Sequence, residues 1–536
     1  MKRTVTVAGT PIEIRETMAD RLVNWFDPAR GLNRLRSRMM ASAFGGYTGG
    51  DKTHRGMRLW STSETSANQA ITGSLKTMRS RSRDLVRNAP IATGAVNSVV
   101  MNVVGDGLVL QSQVDREVLG LTPEQAKAWQ MQAQREFALW ARRPDFTDRL
   151  NWDELQALAL RSVLESGDLF VVRRRRPNPS TPYGLRLQFV EAERVSNPDM
   201  QLNTDTMVDG VVLDADGVPT GYSICNQYPG DWSFTKPRSW KTYDKGETVT
   251  GTPLILHLYD QRRVDQARGV PYLAPVVSLL KQLSDYTEAE IRAAVISGMF
   301  TVFVERPTID GGDLPPVVGS NAPGSGVNPA NEIALGNGAI VDLAEGEKVS
   351  FADPKRPNVA AQVFVEAMCK QIGIALDLPF EVLMKSFTAS YSAARASLEM
   401  AWQFFRQRRS WLAWKFCQPV YEWVITEAVV AGRLQAPGFF TDPLVREAWL
   451  GAEWIGPSRI QLDPHKEAAA DLMDLNMGTK TREQIIQERT GGSFAAKHDQ
   501  LVIEEQARRD AGLITPSSAS AALQPPAQPT AEQAQQ

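Results

Sequence analysis

The 536-residue sequence predicts an α+β chain, on three observations. Apolar residues recur at helical spacing over 74–104 and again over 122–166. Between about 168 and 260 the pattern changes to short strands separated by Pro, Gly and Asp. From 272 onward two helical runs bracket a small β element, and a longer aromatic helix follows.

In order, residues 1–16 alternate polar and apolar and lack the continuous apolar run of a signal peptide, so secretion by that route is not expected. Residues 27–75 combine an Arg-rich run (Arg30, Arg34, Arg36, Arg38) with a Gly/Ser/Thr/Asn-rich stretch, a composition that buries little and reads as an extended arm. Leu75, Met78, Leu85, Val96, Val99 and Val103 then recur at three, four and seven. Pro90 divides them into two helices, with a turn at Gly105-Asp106-Gly107. Thr122-Pro123-Glu124-Gln125 is a helix start, with Thr as N-cap and Pro in the first turn, and Asn151-Trp152-Asp153-Glu154 opens another helix that runs to Ser166-Gly167. Strands are expected at 169–173, 184–190, 210–213, 221–225 and 253–258.

Over 272–298, Leu279, Leu283, Tyr286 and Ile291 take one side of a helix, a rod of roughly 40 Å. Strands at 301–305, 339–343 and 348–351 flank a Gly/Pro/Asn loop, and a helix returns over 358–376, ending before Leu378-Pro379. A polar stretch, 385–392, leads into the longest helical pattern. There Leu398, Trp402, Phe405, Leu412 and Phe416 form one stripe and Phe404 and Trp411 a second, spacing that marks a buried helix face, while Pro419 predicts a kink. A helical region over 464–513 ends in a tail rich in Pro, Gln, Ala and Ser, expected to be disordered.

The composition, 43% hydrophobic and 22% charged, excludes collagen-like, mucin-like and fully disordered classes. With 59 Lys+Arg against 61 Asp+Glu the net charge is −2, so no whole-chain field favours sequence-independent adhesion to a phosphate backbone, and nucleic-acid contact would need local patches. Cys225, Cys369 and Cys417 stand far apart, which argues against a disulfide framework or a structural zinc and for a reducing compartment. No stretch approaches the ~20 apolar residues of a membrane span.

Catalytic signatures are weak. In Gly45-Gly46-Tyr47-Thr48-Gly49-Gly50-Asp51-Lys52-Thr53 an Asp separates glycine from lysine, whereas a working phosphate loop needs them adjacent so that amides and ammonium converge. His54, His257, His465 and His498 are isolated from one another, no Gly-x-Ser-x-Gly elbow occurs, and the acidic pairs Glu191/Glu193 and Glu504/Glu505 would need further carboxylates to hold metals. No catalytic residue, cofactor or metal is therefore expected. Two basic clusters, Arg173-Arg174-Arg175-Arg176 at a strand end and Arg79, Arg81, Arg83 and Arg87 on a helix, are candidates for phosphate contacts, with salt bridges between subunits or a solvated face as the alternatives.

Several stretches together resemble the portal proteins of tailed bacteriophages, in the lambda-like branch. They are Arg81-Ser82-Arg83-Asp84-Leu85-Val86-Arg87-Asn88, Asn102-Val103-Val104-Gly105-Asp106-Gly107, Ser166-Gly167-Asp168, Ser390-Tyr391-Ser392-Ala393-Ala394-Arg395, Trp454-Ile455-Gly456-Pro457 and Asp463-Pro464-His465-Lys466-Glu467. Their order extends from about residue 20 to 510.

The resemblance implies a subunit with wing, helical stem, small β-containing clip and mainly helical crown, assembling into a ring of twelve in the virion. Mapped on this chain it implies an arm (1–75), a wing (76–271), a stem helix (272–298), a clip (299–357), a returning stem helix (358–384), a channel loop (385–392), a long kinked wing helix with the segment after it (393–459), a crown (460–513) and a tail (514–536). Lys385, Ser386, Thr388 and Ser390 would face DNA in the channel. The implied partners are double-stranded DNA, terminase, major capsid protein, scaffold and head–tail connector proteins, without a membrane; the implied location is the capsid portal vertex, with host cytoplasm during assembly. A near-neutral conduit is sensible, because one that neutralised many phosphates would hold DNA by counterion release. A packaging or processing enzyme, nuclease or ATPase, and a capsid or tail adaptor protein are the competing readings.

Overall fold

The computed structural model describes residues 67–231, 237–247, 251–299, 359–387, 390–459, 464–490 and 494–513, short strands at 2–7, 10–15, 303–305 and 348–350, and a few isolated residues between 25 and 66. The chain divides into two compact units, Met1–Ser66 and Ala67–Gln536. In the first, β1 (Lys2–Val7) and β2 (Thr10–Arg15) form an antiparallel hairpin running from Lys2 opposite Arg15 to Val7 opposite Thr10, as alternation of polar and apolar residues favours.

The larger unit opens with α1 (Ala67–Asn88), which begins seven residues before the apolar spacing suggests. Its first two turns bury only Ala67, and Thr72 bonds back to the Asn68 carbonyl at 2.8 Å, so the apolar period becomes visible only at Leu75. Pro90 heads α2 (Pro90–Val103), where its missing N–H costs nothing. After β3 (Val109–Ser112) and the short α3 (Arg116–Leu119), α4 (Pro123–Ala141) and α5 (Trp152–Ser166) both begin in full capping boxes. Thr122 pairs with Gln125, and Asn151 pairs with Glu154.

The β region holds β4 (Asp168–Arg175), β5 (Leu185–Glu191), β6 (Met207–Val208), β7 (Val211–Leu213), β8 (Pro219–Cys225), β9 (Trp240–Asp244) and β10 (Ile255–Tyr259). They form two sheets, ordered β10-β4-β5 and β6-β7-β8-β9, antiparallel throughout. The first sheet is sandwiched. Leu169 and Val171 of β4 enter the helical core, while Phe170 and Val172 enter a second core shared with Tyr222 and Ile224 of the other sheet. That two-sided burial explains the unbroken Leu-Phe-Val-Val run.

A 3-10 turn leads into α6 (Val277–Met299); β11 (Phe303–Glu305) pairs with β12 (Lys348–Ser350); then come α7 (Val359–Ala375), α8 (Phe380–Met384) and α9 (Tyr391–Leu412). The helix runs on through a π-helical segment, Ala413–Cys417, into α10 (Gln418–Val430). This replaces the simple kink expected at Pro419: a widened turn shifts the pairing just where proline can offer no N–H. Next are α11 (Pro443–Leu450) and β13 (Ala452–Ile455), which pairs with β3 across about 340 residues, a pairing that spacing alone did not suggest. α12 (Pro464–Met477), α13 (Arg482–Thr490) and α14 (Phe494–Asp510) complete the described chain. Strand 339–343, the loop 311–329, the glycine-rich stretch 45–53 and the tail 514–536 lie outside the described residues.

The helical core is aromatic. Phe137 meets Trp140, Trp152, Tyr421 and Trp454 within 5.3–5.9 Å, and Trp152 lies 5.0 Å from Phe416. Phe405, Leu412 and Phe416 of the expected stripe are buried here, so its role is packing. Among the described residues no helix is long and apolar enough to cross a membrane, and no group of three His, Cys, Asp or Glu could hold a metal ion. The three cysteines are free and buried.

Candidate functional site

Two helices leave the main body side by side. The first turns of α6 are rooted by Leu280 and Leu283, and the last turns of α7 by Met368, Cys369 and Ile372, with Leu376 just after it, all in the helical core. Away from the body the pair touches through Tyr286 and Phe364, with ring centres 4.9 Å apart, while Ile291 and Val295 are 64% and 53% exposed and Val363 is 68% exposed. Charged pairs of i,i+4 spacing, Lys281–Asp285 and Arg292–Glu288, decorate the surface of α6.

The turn after α7 is anchored as well: the Tyr272 hydroxyl donates to the Leu376 carbonyl, and the Leu378 N–H donates to Gly373 O at 2.9 Å. The short α8 ends at Lys385, whose left-handed backbone (φ 52°) closes the turn as its N–H returns to Glu381 O. Ser386 N–H shares that carbonyl at 3.1 Å. Lys385, Ser386 and Phe387 are exposed, Thr388 lies outside the described residues, and Ser390 is the residue before α9, its carbonyl accepting from Ala394 N–H at 2.9 Å. Of the expected loop residues, Lys385, Ser386 and Ser390 fall on the exposed connection from α8 to α9.

The model for the family "Phage portal protein, lambda family" matches residues 53–409, two thirds of the chain. The chain belongs to the lambda family of phage portal proteins. Portal protein B of Escherichia phage lambda is 24% identical over 508 residues, covering 90% of this chain and 93% of the relative. The portal protein of Escherichia phage N15 is 25% identical over 509 residues, covering 90% and 94%. Among solved structures, a chain from the virion of a native gene transfer agent particle covers 79% of this chain and 98% of its own at 14% identity and a TM-score of 0.43. The function is accordingly that of a portal, a structural component of the phage capsid that serves DNA packaging and is not an enzyme, and its place is the portal vertex.

The sequence stretches that carry the portal resemblance meet in space. Arg83 donates to Ser166 Oγ and pairs with Glu193 at 2.5 Å. Arg409 Nη2 donates to the carbonyls of Asn102 and Pro457, both at 3.0 Å, and its Nε to Val103 O at 3.2 Å, which ties the segment 102–107 to 454–457. A Cβ at Gly456 would lie 2.3 Å from Arg409 Nε, so only glycine admits that guanidinium. Burial, with Arg406 nearby, lowers the Arg409 pKa to about 10.

Behind Ser166-Gly167-Asp168 lies a buried ionic cluster that sequence reasoning missed. Asp168 is fully enclosed and pairs with Arg79 and, at 2.8 Å, with Arg268; it also meets His257 Nε2 at 2.9 Å and accepts from the Gly269 N–H. Burial alone would raise this carboxyl, but the Arg268 and Arg79 guanidiniums with His257 hold it well below the usual carboxylate range. Burial lowers His257 despite Asp168. A Cβ at Gly269 would lie 2.1 Å from Gly167 O, so backbone contact is what seats the cluster. Arg79, counted above as a candidate phosphate contact, is 1% exposed and is instead an internal counter-ion.

The four-arginine run is placed at the outer end of β4. Arg173 pairs with Glu247, Arg174 donates to Gln188 Oε1 at 2.8 Å, Arg176 donates to Phe146 O at 2.9 Å and faces Asp148 at 3.5 Å, and Arg175 is exposed.

Proposed function

We propose that this portal chain assembles into a closed ring, of twelve copies in the virion, through which terminase drives double-stranded DNA inward and through which DNA later leaves. The stem would be 272–298 with 358–384, the clip 299–357 would face terminase and the head–tail connector proteins, and the loop 385–392 would line the channel with Lys385, Ser386, Thr388 and Ser390. Residues 76–271 and 393–459 would form the wing and 460–513 the crown, with major capsid protein and scaffold as assembly partners in the host cytoplasm.

One observation carries the ring. The rooted helix pair keeps Ile291, Val295 and Val363 more than half exposed, and apolar side chains left exposed along a helix pair offer surface to other chains. A single exposed cation per subunit at Lys385, repeated around a ring, would touch passing phosphates transiently without the cumulative counterion release that would arrest them.

Electron microscopy of the purified full chain, with mass measurement of the same particles, tests the assembly: rings with a central hole are expected, and a uniform monomer or dimer across salt conditions would count against it. In assembled particles Lys385→Ala tests the loop, and unchanged packaging and DNA retention would remove it from the channel role.

A further inference from the structure

The two sheets of the β region enclose an apolar interior that opens at one end into a cavity of about 240 Å³. Strand alternation determines what enters it. Phe170, Val172 and Arg174 share one face of β4, so the row of core side chains ends in a guanidinium. Lys241 and Tyr243, two apart on β9, enter from the facing sheet, and Arg194 enters from the turn that follows β5. The floor is buried Val190, Ile224 and Cys225.

Each cation is oriented by neutral groups. Arg174 Nε donates to Gln188 Oε1 at 2.8 Å and its Nη2 to the Tyr243 hydroxyl at 3.4 Å. Arg194 Nε and Nη2 both donate to the Cys225 carbonyl, at 3.1 and 3.0 Å. The Tyr243 ring carries Arg174 at 5.2 Å and Lys241 at 5.0 Å from its centre. Among the described residues no Asp or Glu lines the cavity. Arg173, one residue earlier on the opposite face of β4, has Glu247.

Three cations gathered without a counter-ion repel one another, and an anion entering among them turns that repulsion into attraction. The geometry is prepared for it. In each arginine Nε and Nη2 donate to protein acceptors, which leaves the N–H groups of Nη1 available to an anion, and Lys241 adds an ammonium. Tyr243 accepts from Arg174, so its own proton is free to donate, and Ser239 also lines the cavity. The volume is below that of an ordinary small-molecule pocket and suits one or two phosphoryl groups.

We propose that this cavity binds a phosphate group, presented either as free phosphate or pyrophosphate or by a nucleic-acid backbone. Nothing in the portal function assigns it, and it does not depend on the ring: the site lies within one subunit.

The test is titration of the purified full chain with sodium pyrophosphate at constant ionic strength, read by calorimetry and by thermal unfolding, with a short DNA duplex in a parallel series. Saturable binding is expected, with a rise in melting temperature that follows ligand concentration. Lys241→Glu, at an exposed position on β9, should weaken it by about tenfold or more, the equivalent of one charge-assisted contact, while the variant melts normally in chloride; Arg174→Gln should do the same. A duplex that competes with pyrophosphate, with the same dependence on Lys241, would identify the backbone as the source, and a duplex that does not would identify the free ion. No saturation by ~10 mM pyrophosphate, or equal binding by wild type and Lys241→Glu, would overturn the proposal. So would a poly-glutamate peptide binding the site where pyrophosphate fails.

Discussion

The main body and the helices outside it are built from similar amphipathic patterns and finish differently. In the body the chain supplies its own complement. Phe137 sits among four aromatic rings, and Asp168 has two guanidiniums, an imidazole and a backbone N–H around it. In α12, α13 and α14 none of the residues whose exposure is described is buried, while Leu472, Met473, Met477, Leu501, Val502 and Ile503 are exposed, and α6 and α7 leave apolar side chains bare beyond their roots. Folding is therefore complete in one region within a single subunit, and in the other apolar surface remains for association.

The strongest way to break that contrast is to remove a counter-ion from the body. Asp168→Ala leaves Arg79 and Arg268 enclosed, with Asp209 at 3.8 and 3.0 Å and the more distant Glu193 as the remaining carboxylates near them. Loss of one partner from a buried ion cluster costs about 3–5 kcal/mol, because the stranded charges keep their desolvation penalty. Urea unfolding of the variant should show that loss or yield no soluble protein; a change below about 1 kcal/mol would mean that water reaches the cluster.

A smaller effect comes from His257, in the same cluster. Burial holds its pKa below that of an exposed histidine, against the pull of Asp168, and Arg268, Arg79, Tyr222 and Tyr259 surround it. The unfolded chain then binds a proton that the folded chain refuses, so the contribution is complete above about pH 6.5 and is lost as pH falls below it. The slope is at most about 1.4 kcal/mol per pH unit for one proton. Melting temperature should decline from pH 7.5 to 5.5, and His257→Gln should flatten the decline; equal slopes in both proteins would show that the imidazole charges freely in place. Asp168 is lowered in the opposite chemical sense, toward staying charged, and its contribution is lost only further down, below the ordinary carboxylate range.

What was readable in the sequence follows the range of each interaction. Capping at Thr122 and Asn151, the break at Pro90 and the two-faced run in β4 are local, and each appears where residue type and spacing put it. The β3–β13 pair joins two four-residue strands about 340 positions apart, too short to carry a period. The partners of Arg79 lie 89 and 130 residues away, so from sequence a buried counter-ion looks identical to a surface basic patch. The loop at Lys385 could be placed as a polar break between helices, whereas the left-handed residue that closes α8 could not, since lysine carries no sign of it.

The smallest effect tests the other side of the contrast. Ile291→Ser with Val295→Ser changes two side chains on one face of α6, four residues apart, that are already 64% and 53% exposed in the single chain. Little apolar surface returns to solvent in the subunit, so its stability should move by no more than about 0.5 kcal/mol in urea unfolding under conditions that keep it monomeric. If these residues pack against a second copy, the same pair should shift the protein from rings to free subunits at equal concentration, because each interface of a closed ring carries the change and the losses multiply around it. A drop of several kcal/mol in the monomer would mean that the face is covered within the subunit, and the distinction between a finished body and unfinished helices would then fail at α6.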